Sequence, residues 1–444
     1  MADPGKTAQR SPWRQKTATV PEPLRGAFFW LSAFFVVYCA RPEDWIPGLK
    51  YIPLAKISGI FAVLGLVLGA GRSKRSLRDL PREAFYLCGI VALFCLAGLL
   101  SPVWKGGALL KTMDWSKAVV AWVVMFLGIS SFKRLRRIIF IQTASVTIIT
   151  VVSVLKGRNH PRLEGVIGGI YSNPNDLAFA IVLSLPFCIA FLLQTRKLAS
   201  KVVWIVAMLA MGTALFLTAS RGGFITLMIV GAFGLWQFGV KQRRPQLIAA
   251  AALVTLVIGL TAGERLKDRF LAISGQENNA VDTSAHGSFE QRWRLIKLSF
   301  PTMAHYPLGI GMGMFPNYSG EWREVHVSYL QIAVEGGIAA GILYLLFFAR
   351  GFANLRQWRR MGAWDEESDL LARALHISLI GFLVGALFAP EAYQFFPYFA
   401  VGYTSVLLAI AKEKKQQDFV VNVRPRPELQ QRGSRQAGEL APVR

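Results

Sequence analysis

Long apolar runs separated by short polar connections occupy most of this chain. They lie at residues 24–40, 52–70, 84–100, 115–131, 138–155, 177–193, 202–219, 223–240, 247–262, 327–349, 371–389 and 395–411. Each approaches the roughly 17–25 residues that a helix needs to cross a bilayer. The pattern predicts an all-α polytopic membrane protein with about twelve transmembrane helices. One polar segment interrupts it, at residues 263–326, and its last part runs into the next apolar stretch as PLGIGMGMFPNYSGEWREVHVSYLQIAVEGG. The expected organisation is a polar N-terminal piece (1–23), nine spans (24–262), the large loop (263–326), three spans (327–411) and a tail (412–444). The tail is rich in Gln, Arg and Pro and reads as disordered and cytoplasmic. Chemistry is expected in the large loop, because loops on a rigid scaffold carry function.

Composition supports the membrane reading. The 444 residues are 53% hydrophobic and the mean hydropathy is +0.39, which excludes an ordinary soluble domain of this length. A net charge of +24 would suit nucleic acid, but its distribution does not. Basic connections at 71–82, 132–137, 195–201, 241–244 and 349–360 alternate with connections poor in Lys and Arg. Under the positive-inside rule the basic set is cytoplasmic, which puts both termini inside and residues 263–325 outside. The excess charge then reports topology and anionic headgroups. The first apolar run lacks a small-residue cleavage pattern after it and should stay as a span. Cys39, Cys88, Cys95 and Cys188 sit in or at the ends of apolar runs without paired spacing, as small core hydrophobes do. No internal repeat suggests an inverted-repeat transporter.

Polar groups at membrane depth are costly, so each needs a reason. Four places on the expected outer side stand out. In YSNPNDLAF, Asn173, Asn175 and Asp176 open a span, as capping groups or as capping groups with a further role. In LTASRGGF, Arg221 sits on a hairpin that otherwise avoids basic residues, suited to an anion site or to snorkelling toward headgroups. In HGSFEQRWRLIKLSF, Ser288 and Gln291 have capping-box spacing, so a helix is expected from about Phe289 with Trp293, Ile296 and Phe300 on one stripe. Arg292 and Arg294 then lie about 200° apart, and at most one can face a shared site. The alternative for this helix is an amphipathic element on the membrane surface.

The fourth place is His326, at the mouth of a span. Its imidazole suits a general base, although a cap or interface role is equally ordinary. Glu335 would lie about 13 Å deeper and half a turn away in a straight helix, where it would brace neighbouring helices or line the inner end of a cavity. GIGMG has no preceding strand and reads as a turn with glycines at unusual dihedrals rather than a dinucleotide site. His160, His286, His305 and His376 share no ligand spacing. No nucleophile elbow or P-loop is present.

The motifs YSNPNDLA, TASRGGF, an arginine upstream of PLGIGMGMF, and HVSYLQIAVEGG, taken in this order and with a common outward topology, resemble the O-antigen ligase and polymerase superfamily across roughly residues 165–348. The resemblance implies a GT-C-like membrane glycosyltransferase of the bacterial inner membrane with its active site facing the periplasm. It implies glycan transfer from an undecaprenyl-pyrophosphate carrier to an acceptor hydroxyl, most often on lipid A–core, with inversion and without a metal or other cofactor. By motif position the catalytic residues fall on His326, Arg221 and Arg292. Asn173, Asn175, Asp176, Arg294, Tyr329 and Glu335 are candidates for binding pyrophosphate or glycan. The family's usual HNSYL is HVSYL here, with Val327 in place of asparagine. Two alternatives share the site, a polysaccharide polymerase and a protein O-oligosaccharyltransferase. A transporter or flippase of lipid-linked glycan is the alternative from another class, and it would not need histidine and arginine converging from a long outer segment.

Overall fold

The computed structural model describes residues 23–157, 163, 171, 173–248, 280–321, 323–362 and 365–423, the backbone alone for 280–289 and 420–423. Among these residues the structure is helical, without strands. The helices are α1 (Arg25–Ala40), α2 (Pro42–Trp45), α3 (Leu54–Leu68), α4 (Arg82–Leu99), α5 (Lys105–Gly128), α6 (Phe132–Lys156), α7 (Pro174–Gln194), α8 (Leu198–Thr218) and α9 (Arg221–Gly234), which continues through a π-helical turn, Leu235–Val240. The polar segment contributes α10 (Ala280–His305) and α11 (Phe315–Ser319). There follow α12 (Ser328–Gly336), α13 (Ile338–Arg360), α14 (Glu366–Gly385) and α15 (Phe395–Val423). Eight of the described helices, α4, α6 to α9 and α13 to α15, are long and apolar enough to cross a membrane, while α1 and α3 are apolar but shorter. The protein is a polytopic helical membrane protein.

Burial separates the centre of the bundle from its rim. The apolar windows of α7, α14 and α15 are 72%, 67% and 78% buried, against 33% for α8. Polar residues at the ends of α7 and α15 are therefore held by the most buried helices of the fold. The basic connections meet at one end, where Arg75 pairs with Glu413, Arg136 with Glu367 and Arg244 with Glu366. The opposite end carries the turns before α7 and α9, residues 306–327, and the turn between α14 and α15.

Four elements depart from the sequence pattern. Helix α5 begins at Lys105, well before the apolar run at 115–131. Its first turns and the connection before them dock on the polar segment: Lys111 donates to the Gly313 carbonyl (2.9 Å), Ser101, four residues before the helix, donates to that of Ile310 (2.6 Å), and Ala108 packs with Ile310, Met314 and Phe315. The Lys111 ammonium thus meets protein rather than hydrocarbon. The run at 327–349 is not one helix but α12 and α13, broken at Gly337 (φ 87°). A Cβ there would lie 2.7 Å from the Leu308 carbonyl carbon, because the chain from Pro307 packs into the break. Helix α10 runs from Ala280 through Ser288 rather than starting near Phe289. A capping preference worth about 1 kcal/mol is easily outweighed by a continuing helix. Helix α15 continues past the expected tail boundary at residue 412 to Val423, through good helix formers and the Glu413 ion pair. The expected span at 247–262 from residue 249 onward, the N-terminal piece to residue 22, and the tail from 424 lie outside the described residues.

Candidate functional site

The site is assembled from three helix starts and two turns. Asn173 caps α7, its side chain accepting from the Asn175 N–H (3.0 Å), and Pro174 takes the first helical position. Asn175 in turn accepts from Ser220 Oγ (2.7 Å). Ser220 caps α9, accepting from the Gly223 N–H (3.1 Å). Gly223 is required by this pairing, since a Cβ there would come within 2.8 Å of Ala178 Cβ. The starts of α7 and α9 are therefore locked side by side, with Arg221 at the first position of α9.

A second lock ties α12 to the turn between α14 and α15. The Ser328 N–H donates to the Ala386 carbonyl (2.8 Å) and Ser328 Oγ to that of Ala389 (2.7 Å). The same hydroxyl accepts from the Glu391 N–H (2.9 Å). A third fixes the glycine-rich turn. Gly309, Gly311 and Gly313 all have positive φ (91°, 98° and 67°), as the turn reading of GIGMG expects. Glu335 accepts from the Gly313 N–H (2.7 Å), the Phe315 N–H (3.2 Å) and the Tyr393 hydroxyl. Glu335 is a fully buried brace of this turn and does not line the pocket described next.

Between these locks lies a cavity of about 330 Å³ lined by Asn173, Asn175, Arg292, Arg323, Glu324, His326 and Pro390. Two of the three catalytic candidates, His326 and Arg292, line it together. Arg221 is not among the lining residues and stands next to Ser220, which holds Asn175. Of the binding candidates, Asn173 and Asn175 line the cavity. Asp176 does not; it lines a smaller adjoining cavity with Tyr38, Tyr171, Glu391 and Gln394. Arg294 is exposed and paired with Glu321 (2.9 Å), which also accepts from Gln291. Tyr329 donates to the Leu383 carbonyl (2.7 Å), a bond between helices. The expected divergence of Arg292 and Arg294 is thus observed. The stripe of Trp293 and Phe300 is exposed, while Leu295, Ser299 and Thr302 form the buried face of α10.

His326 Nδ1 lies 2.9 Å from the Glu324 carbonyl oxygen. A carbonyl only accepts, so Nδ1 carries the proton and Nε2 keeps its lone pair. Burial, and then the Arg292 and Arg323 charges, hold the imidazole down to about 4, against the opposing bond to Glu324. It is therefore neutral at pH 7. Glu324 is exposed to the cavity, and the protein around it removes part of the water from its carboxyl. That desolvation pushes its carboxyl up, offset by the Lys111 charge and a bond from Gln331.

Arg323, Glu324 and Pro390 are lining residues that the sequence reading missed. Arg323 and Glu324 precede His326 in WREVH, so proximity alone could have raised them. Pro390 and Glu391 fall in the turn between two apolar runs, and their nearness to His326 appears only through Ser328.

Residues 206–345 match the family model for O-antigen ligase, and this match supports the O-antigen ligase superfamily for the chain. The matched stretch includes Arg221, Arg292 and His326, while Asn173, Asn175 and Pro390 lie outside it. The match indicates a glycosyltransferase-like ligase in general terms, acting on lipid-linked glycan and an acceptor. A comparison with curated proteins finds no match.

Proposed function

With the O-antigen ligase superfamily as premise, we propose that the protein transfers a glycan from an undecaprenyl-pyrophosphate carrier to an acceptor hydroxyl on the periplasmic side of the inner membrane, with lipid A–core as the acceptor. The observation that carries the reading is that Arg292, from the polar segment, and a neutral His326 line one cavity. The end of the bundle opposite the basic connections is assigned to the periplasm by the positive-inside rule. The division into nine spans, a large loop, three spans and a tail is kept as part of this reading, with the apolar run after the loop entering the bundle through the break at Gly337.

In the proposed reaction the acceptor oxygen attacks the anomeric carbon. The bond from that carbon to the pyrophosphate oxygen breaks, and its electron pair stays on the carrier. Attack from the face opposite the leaving group inverts the anomeric configuration. Arg292 and Arg323 hold the pyrophosphate, with Arg221 beside them at the start of α9. Preorganised charges in a partly dry site stabilise such a leaving group by about 3 kcal/mol each. The guanidinium fork suits two phosphate oxygens at once, and the positive charge that a metal could supply comes from these side chains. The hydroxyl proton passes to His326 Nε2, whose lone pair is kept available by the Nδ1 bond to Glu324. Such a base contributes roughly 10²–10⁴-fold.

Reconstituted vesicles with a polyprenyl-pyrophosphate glycan and separate acceptors test the reading. Transfer to lipid A–core, lowered in Arg292→Lys although charge is kept, is the expected result. Chain extension of the carrier-linked glycan instead would make the protein a polymerase, and movement of the donor across the bilayer without transfer would make it a flippase.

A further inference from the structure

Two carboxyls that the proposed chemistry does not use, a buried Glu391 and a half-buried Asp176, stand directly behind the pocket. Asp176 and Glu391 each follow a pocket-lining residue, Asn175 and Pro390, and both line the small adjoining cavity. Their side chains are hydrogen-bonded to one another. Two carboxylates in contact in a low-dielectric site cannot both ionise, so such a pair retains a proton. The remaining oxygen of Glu391, Oε1, is buried and has no hydrogen-bond partner among the described residues.

Among the described residues, the charges that act most on the two acids are negative. Tyr171 donates to the Cys39 carbonyl (3.2 Å) and Tyr38 accepts from the Phe395 N–H (3.0 Å), and neither hydroxyl reaches Glu391 Oε1. Glu324 adds a further negative influence on both acids. Arg41, near Tyr38 and Tyr171, is paired with Glu43 and Asp44. Tyr344 faces Glu391 from α13. Burial, followed by the Asp176 charge, holds the Glu391 carboxyl well above the usual range, which makes it the donor of the pair.

The pair is joined to the pocket on both sides. Asp176 is in the first turn of α7, next to Asn175 and its bond to Ser220. The Glu391 N–H is held by Ser328, two positions after His326. We propose that Asp176 and Glu391 share one proton and act as positioning residues that hold the Asn175 and His326 walls of the pocket together, and that loss of this proton at high pH drives the two walls apart. The transfer role rests on the reading given under Proposed function; the shared proton does not.

Infrared difference spectroscopy of the purified protein, titrated upward in pH, tests the shared proton without any activity. The expected result is a protonated-carboxyl C=O band that disappears on titration and is missing in Glu391→Gln. A band unchanged by pH and by that substitution overturns the proposal. Transfer assays over the same range test the positioning role. The wild type should lose rate on the alkaline side. Glu391→Gln, which can still donate to Asp176 but cannot ionise, should lose less than about threefold at neutral pH and show no alkaline fall. Asp176→Asn, which can still accept, should behave likewise, and Glu391→Ala should lose rate at every pH. An alkaline fall that persists in both amide variants removes the positioning role, whereas absence of transfer in the wild type counts against the function and leaves the infrared result standing.

Discussion

His326 Nδ1 faces the Glu324 carbonyl oxygen at 2.9 Å, and this one contact sets which nitrogen of the ring can act. With Nδ1–H committed to the backbone, Nε2 is the acceptor nitrogen. The backbone partner cannot be deleted by a side-chain change at Glu324, so the tautomer is built into the turn preceding α12.

The pH dependence follows from the charges around that ring. Burial, Arg292 and Arg323 all disfavour the imidazolium and hold His326 down to about 4 in the free protein. A bound pyrophosphate offsets the arginine charges and favours the imidazolium, so the value rises in the complex. The base acts when neutral, and rate is lost as pH falls through its titration. The acid limb of kcat, which reports the complex, is therefore expected at higher pH than the limb of kcat/KM, which reports the free protein. Coincident limbs would remove the arginine–histidine coupling. His326→Ala should lose roughly 10²–10⁴-fold and abolish both limbs.

Arg292, Arg294 and Arg323 of the polar segment should separate cleanly. Arg292 and Arg323 line the cavity, whereas Arg294 is exposed and paired with Glu321. A surface ion pair is worth about 0–1 kcal/mol, so Arg294→Gln should change transfer by less than about threefold. Arg323→Gln should lower kcat/KM by on the order of tenfold or more, as expected for a lost charge-assisted bond of about 1.5–3 kcal/mol. Steady-state kinetics on the purified variants decides it, and equal losses in the two would mean that Arg323 does not meet the substrate.

Much of this arrangement could be read from residue order, and the remainder could not for identifiable reasons. The apolar runs marked the spanning helices because bilayer thickness fixes their length. The divergence of Arg292 and Arg294 followed from helical period alone. Asp176 and Glu335 were correctly noticed as polar groups at depth, but periodicity cannot say what such a group faces. Glu335 faces backbone N–H groups from a turn some twenty residues earlier, and Asp176 faces a carboxyl from the other end of the chain. The straight-helix placement of Glu335 relative to His326 does not apply because the helix starts only at Ser328, so that His326 precedes α12. Tyr329 was adjacent to the motif, yet its hydroxyl serves α14.

Gly309 provides a test of the break between α12 and α13. It has φ 91°, and a Cβ would lie 2.5 Å from both the Glu335 carbonyl oxygen and the Gly337 nitrogen. Those contacts are backbone, which cannot swing away. Positive φ in a non-glycine residue costs about 1–3 kcal/mol before any clash is counted. Gly309→Ala should expel the glycine-rich turn from the break and expose the polar segment to limited proteolysis, with transfer lost in parallel. Gly320→Ala is the control. It shares a positive φ (70°) but has nothing within 4 Å of the added Cβ, so strain alone should act there. Equal protease resistance in Gly309→Ala and the wild type would show that the turn is not anchored in the break.

Glu335 supports the same turn from below, and its removal has a different signature. The carboxylate accepts from two backbone N–H groups, Gly313 and Phe315, and from the Tyr393 hydroxyl, all in a fully buried setting. Truncation to alanine leaves three donors without an acceptor, at about 1–3 kcal/mol for each buried group left unpaired. Glu335→Ala should therefore lower the detergent-solubilised melting temperature by several degrees. Glu335→Gln retains one acceptor oxygen but turns an amide N–H toward a second donor, and should lose less. Tyr393→Phe removes a donor and leaves the two backbone bonds intact, so it should be the mildest of the three. If Glu335 instead met the substrate, Glu335→Gln would lose transfer without losing thermal stability. The brace predicts that stability and transfer fall together, in the order alanine, glutamine, Tyr393→Phe.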